Sequence, residues 1–84
     1  MKKFELVNMF ISAIEQEYKY IVVYVQVKNS KSPEIIINER SNFKEKLDYY
    51  VNAYDDDLKL KACNDISILN VKKINSFSEL DKKS

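Results

Sequence analysis

Four groups of side chains in this sequence have the chemistry to hold another molecule. Asp55-Asp56-Asp57 is a run of three carboxylates that could hold a cation or meet a basic partner. Consecutive aspartates lack the spacing of a calcium loop, so the competing reading is a solvated turn. Arg40 is the one arginine beside thirteen lysines. It stands just before an expected helix start, where free backbone N–H groups with Arg40, Ser41 and Lys44 could take a phosphate or carboxylate. The competing reading is a local ion pair with Glu34, Glu39 or Glu45. Cys63 is the only cysteine, and Lys59 and Lys61 nearby could lower its thiol pKa. Without a general base beside it, it reads instead as a small buried hydrophobe. Tyr20, Val22 and Tyr24 alternate along one apolar segment and would share one face of a strand. Tyrosine suits a binding surface because it is large, stiff and polar at its tip.

Other chemistry is excluded by residues the chain lacks. It has no histidine, which removes Ser-His and Cys-His nucleophiles, a histidine general base and histidine-ligated metals. It has no glycine, which removes P-loops, dinucleotide fingerprints and nucleophile elbows. No enzyme, metal or cofactor is expected. The net charge of +1 lacks the basic excess of a dedicated nucleic-acid binder and the acidic excess of a DNA mimic. Lys59, Lys61, Lys72 and Lys73 could nevertheless form a local basic stripe.

The elements that must position these groups follow from periodicity. Over 3–17, Val7, Phe10, Ile11, Ile14 and Tyr18 recur at helical spacing. Residues 20–28 are β-branched and aromatic on both faces, which predicts a central strand. Ile21, Val23, Val25 and Val27 line one face; Tyr20, Val22 and Tyr24 line the other, with Ile36 expected beside them. Asn29 to Pro33 form a loop, and 34–38 a second strand in a hairpin with the first. Asn42 and Glu45 make a capping-box pattern ahead of a helix to about Tyr54, with Phe43, Leu47, Tyr50, Val51 and Tyr54 on one face. Residues 58–63 fit either a short helix or an extended lead-in. Residues 65–72 read as a third strand. Ser76 and Glu79 repeat the capping pattern and could start a short terminal turn.

The fold class is therefore α+β, in the order α-β-β-α-β with a terminal α turn. The economical sheet order is 2-1-3, antiparallel, with helix 43–54 on the face of Val23 and Val25. One domain over 1–81 is expected, with 82–84 a frayed tail. The sequence leaves open whether helix 3–17 covers the face of Tyr20, Val22 and Tyr24: covered, the more usual outcome for such residues, it is core; uncovered, it is an exposed apolar platform. The longest apolar run, Ile21 to Val25, is far too short to span a membrane. Met1-Lys2-Lys3 imitates a signal peptide, but Glu5, Asn8, Glu15 and Glu17 interrupt any apolar segment, so no export signal is read. A single cysteine fits a reducing cytosol.

The strings Glu34-Ile35-Ile36-Ile37-Asn38-Glu39-Arg40-Ser41-Asn42-Phe43, Lys46-Leu47-Asp48-Tyr49-Tyr50 and Asn52-Ala53-Tyr54-Asp55-Asp56-Asp57-Leu58 resemble a group of small uncharacterised proteins from phages and prophages of low-GC Gram-positive bacteria. The resemblance spans about residues 20–72 and carries no known activity. It implies a phage or prophage setting in the bacterial cytoplasm, and a non-enzymatic accessory protein that inhibits or redirects a host protein, including a defence enzyme. The partner expected is a macromolecule, a protein before a nucleic acid. It would be held on Tyr20, Val22 and Tyr24 or on a cluster of Arg40, Lys44 and Asp55–Asp57. The alternatives are a small nucleic-acid-binding regulator using the lysines, and a homodimer through the sheet face.

Overall fold

The structure is a computed structural model and describes residues 1–80. The expected tail at 82–84 lies outside the described residues. Helix α1 (Lys3–Glu15) leads into strand β1 (Tyr20–Val27) and strand β2 (Glu34–Glu39). A 3-10 turn (Arg40–Asn42) runs into helix α2 (Phe43–Ala53), and strand β3 (Ile66–Ile74) is followed by a 3-10 turn at Phe77–Leu80. The three strands form one antiparallel sheet in the order β2-β1-β3. The α+β class, the element order and the central place of β1 are as expected.

Both helices pack on the same face of the sheet, so α1 does not cover the face of Tyr20, Val22 and Tyr24. The core joins Leu6, Phe10 and Ala13 of α1, Ile21, Val23 and Val25 of β1, Phe43 and Tyr50 of α2, and Ile68 and Val71 of β3. Phe10 is its hub, edge-on to Phe43 with ring centroids 6.1 Å apart and 5.9 Å from Tyr50. The buried stripe of α1 is thus Leu6-Phe10-Ala13, rotated from the expected Val7-Phe10-Ile11-Ile14 face; Ile11 is exposed. The helix is apolar nearly all round, so several stripes satisfy helical spacing. Ala13 settles the choice, because a small side chain lets the helix approach the sheet closely.

Residues 58–63 form the extended lead-in and not a helix. Tyr54 bridges Leu60, Lys59 bridges Ser67, and Ile68 N–H donates to Leu58 O at 2.8 Å. This lines part of the outer edge of β3. Asn42 precedes α2 but its side chain makes no cap; the 3-10 turn delivers the chain into the helix instead. The second capping pattern does form: Glu79 Oε2 accepts from the N–H groups of Asn75 at 2.9 Å and Ser76 at 3.0 Å.

With no glycine available, three other residues adopt left-handed backbone: Glu17 (φ 58°), Asn29 (φ 71°) and Leu58 (φ 61°). Glu17 ends α1 in a Schellman arrangement, with Tyr18 N–H donating to Ala13 O at 2.9 Å and Glu17 N–H to Ile14 O at 3.3 Å.

Candidate functional site

Cross-strand register decides which side chains share the uncovered face. β1 pairs Tyr20 with Glu39, Val22 with Ile37 and Tyr24 with Ile35 on one side. On the other side it pairs Tyr20 with Ile74, Val22 with Lys72 and Tyr24 with Asn70. Directly paired residues point the same way, so Ile35 and Ile37 accompany the tyrosines. Ile36, expected there, pairs with Val23 and packs against the core. A one-residue change of register moves every side chain to the opposite face, and the hairpin loop sets that register.

The uncovered face is a graded apolar surface. Ile35 is 53% exposed, Ile37 42% and Phe77 51%. Tyr20 and Tyr24 are half-buried, and Val22 between them is fully buried by larger neighbours. Phe77, from the terminal turn, lies on Tyr20 with ring centroids 4.6 Å apart. Lys72 places its ammonium 5.5 Å from the centre of the Tyr24 ring, a cation–π contact that leaves the charge at the surface. A bulge between Tyr24 and Val25 puts Asn70 and Ile68 opposite them and leaves Leu69 unpaired and exposed. Ile35, Ile37 and Phe77 were missed as site residues from sequence. Ile35 and Ile37 were legible as strand residues, but the unbroken Ile35-Ile36-Ile37 run hid which of them share the tyrosine face; Phe77 had no signal beyond its helix-start pattern.

The other expected site is not assembled. Arg40 and Lys44 lie at the start of α2 and Asp55–Asp57 beyond its end, about 16 Å away for a helix of this length. Arg40 makes neither of the contacts expected of it. Its Nη1 donates to Tyr18 O at 3.0 Å and Ala13 O at 3.3 Å, and its Nη2 to Ile14 O at 3.0 Å. The guanidinium therefore caps the C-terminus of α1, adding a cation to Ala13 O and Ile14 O, which already accept the Schellman bonds, where the dipole favours positive charge. Lys44 is exposed beside it.

The aspartates are divided among separate local tasks. Asp55 Oδ1 accepts from the N–H groups of Asp57 at 2.9 Å and Lys59 at 3.0 Å, closing the turn. Asp57 pairs with Lys2, and this hydrogen bond and its charge hold the Asp57 carboxyl below its ordinary pKa and Lys2 above its own. Asp56 O accepts from Lys3 N–H at 2.9 Å, joining the turn to the start of α1. Among the described residues no three Cys, Asp or Glu side chains gather as a metal site. Cys63 is exposed, not buried, at the corner that turns into β3.

The lysines do not form a stripe. Lys72 and Lys73 are successive residues of β3 and so lie on opposite faces. Lys73 reaches α1, donating to Gln16 Oε1 at 2.7 Å and Ser12 Oγ at 3.0 Å. Lys59 stands beside Ser67, about 15 Å of strand from Lys72, and Lys61 follows on the same lead-in.

Tyr50 and Asn38 are the polar groups inside the covered face. Asn38 Nδ2 donates to Ile21 O at 3.2 Å, while Asn38 Oδ1 and the Tyr50 hydroxyl have no partner. Burial raises the Tyr50 pKa; Asn38 beside it counteracts part of that shift, although their geometry falls short of a hydrogen bond. Burial, with Tyr49 and Tyr50 adjacent, pushes Tyr54 up to about 12. These groups face the core and offer no access to a substrate. No helix among the described residues is long and apolar enough to cross a membrane. Compared with protein-family models, with curated proteins and with solved structures, the chain matches none.

Proposed function

We infer that this chain is a non-enzymatic binding protein that takes a macromolecular partner, a protein, on the uncovered face of its sheet. One observation carries the reading: both helices lie on one side, and the other side presents Ile35, Ile37 and Phe77 to solvent around the two tyrosines. Exposed apolar clusters with aromatic members are what protein interfaces use as anchors. The phage-type setting, and a role as an inhibitor of a host or defence protein in the bacterial cytoplasm, rest on the sequence resemblance. The scattered lysines give the nucleic-acid alternative no concentrated field.

The test is affinity capture from a bacterial lysate with and without nuclease, using the wild type, Tyr24→Ala and Phe77→Ser. The expected result is a protein retained after nuclease and in high salt, and lost with both variants while their circular dichroism stays native. Retention that vanishes with nuclease, or that neither variant weakens, overturns the reading. Phe77→Ser guards against the case in which Tyr24→Ala unfolds the chain, since Phe77 is half exposed.

A further inference from the structure

We propose that β2 is a self-pairing edge: two copies of this chain join β2 to β2 antiparallel, about a two-fold axis at Ile36, to make one six-stranded sheet. This goes beyond the partner reading above and does not depend on it.

The first observation is an open row of backbone groups. Among the described residues β2 is hydrogen-bonded on one side only, to β1, whereas part of β3's outer edge is lined by Leu58–Leu60. Arg40 N–H donates to Lys19 O at 3.0 Å, one step beyond the ladder. Antiparallel pairs alternate between bonded and non-bonded, so Asn38, Ile36 and Glu34 bond inward to β1. The N–H and C=O groups of Ile35, Ile37 and Glu39 then point out from the edge. Strand edges are normally protected by charged side chains, lysine above all, by proline or by a bulge. In 34–39 the charges are confined to the ends, at Glu34 and Glu39, and Ile35 to Asn38 between them carry none; the bulge lies on the β3 side and Pro33 precedes the strand.

The second observation is that the segment complements itself. A two-fold axis normal to the sheet keeps residues of like orientation together, so only pairings whose residue numbers sum to an even value are allowed. Centred on Ile36, this register sets Ile35 opposite the second copy's Ile37, twice, and Ile36 opposite itself. Of the three outward-bonding residues, Ile35 and Ile37 then exchange both of their hydrogen bonds, while Glu39 at the strand end meets Pro33. Every apolar side chain meets an apolar one, and Glu34 meets Asn38 instead of another carboxylate. Shifting the pairing to centre on Ile37 sets Glu39 against Ile35, and centring on Ile35 brings Pro33, which has no N–H to give, in from the strand end to face Ile37. Ile36 is already partly buried against the core, so the non-bonded, closely spaced pair at the axis would extend that core across the junction. The exposed Ile35 and Ile37 would each gain the other as a flanking neighbour on the uncovered face.

An edge of this length is smaller than a standard interface of about 800 Å² per partner, so association is expected to be reversible and concentration-dependent. Sedimentation of the full chain from about 1 to about 500 µM is expected to show monomer giving way to dimer. Ile35→Glu combined with Ile37→Glu sets like charges opposite each other and is expected to weaken the dimer at least about tenfold, with an unchanged circular dichroism spectrum. Mixing that variant with Ile35→Lys combined with Ile37→Lys is expected to restore a one-to-one dimer. In a Cys63→Ser background, Ile36→Cys is expected to cross-link between copies under mild oxidant, while Ile37→Cys, two positions off register, does not. A monomer throughout the range overturns the proposal. A dimer that the paired glutamates leave intact, or that cross-links through Ile37→Cys in preference to Ile36→Cys, also overturns it.

Discussion

The two faces of the sheet are built from similar residues and end in different states. On the covered face Ile21, Val23 and Val25 lie under two helices and are sealed from water. On the uncovered face Tyr20, Val22 and Tyr24, from the same strand, are sheltered only by neighbours and by one ring of the terminal turn. The residue types do not distinguish them; what does is where the helices attach. Arg40 fixes that attachment, since its three bonds to carbonyls at the end of α1 tie that end to the start of α2. Lys3 does the same at the opposite end, through its N–H to Asp56 O and its ammonium to Val51 O at 2.8 Å. Pinned at both ends, α1 lies beside α2 and leaves the other face free.

The comparison breaks first where the covered face is cut. Phe10→Ala removes the hub ring, and a loss of about 3–5 kcal/mol is expected in urea unfolding, enough to leave a domain of this size largely unfolded. Next comes the attachment. Arg40→Ala leaves the α1 carbonyls without their cation and should cost about 1–2 kcal/mol in the same measurement. Phosphate added to the wild type should not stabilise it, because the guanidinium is already engaged. Third is a pH effect of the covered face. Tyr54, held neutral with its pKa at about 12, contributes stability that is intact below the ordinary tyrosine pKa of about 10. That stability is lost as pH rises from about 10 towards about 12. The urea midpoint should therefore be level from about pH 8 to about pH 9.5 and fall above that, with Tyr54→Phe making the fall shallower and the rest coming from Tyr50 and from Lys2 in its pair with Asp57, which are raised as well. The smallest effect belongs to the uncovered face. Phe77→Ser should change stability by no more than about 0.5 kcal/mol, and a larger loss would show that this ring belongs to the fold.

Sequence periodicity was enough for the strands and their order. β1 is the most apolar strand, which fits the middle of a three-stranded sheet, although its apolar outer side did not mean a second helix-covered face. It was not enough for contacts between distant residues. Arg40 meets carbonyls more than twenty residues earlier, and Asp57 meets Lys2 across most of the chain. Local reading could offer each only a neighbour. The phase of α1 failed for a different reason: a helix carrying Phe4, Leu6, Val7, Met9, Phe10, Ile11 and Ile14 has no unique apolar side, and tertiary packing chose one. The Ile35-Ile36-Ile37 run was legible as a strand but not in phase, because three identical residues look the same in either register.

The left-handed corner at Glu17 bears on how this surface can change over generations. A non-glycine residue in that conformation costs about 1 kcal/mol that glycine would not. Leu58 cannot be relieved the same way, because its side chain is fully buried, and Asn29 tolerates the conformation well. Glu17 is exposed, so Glu17→Gly would recover that free energy without opening the core. One substitution at the end of α1 can therefore offset a mildly destabilising change on the uncovered face. The corner is a reserve of mutational tolerance, placed where it lets the exposed surface vary while the fold is kept.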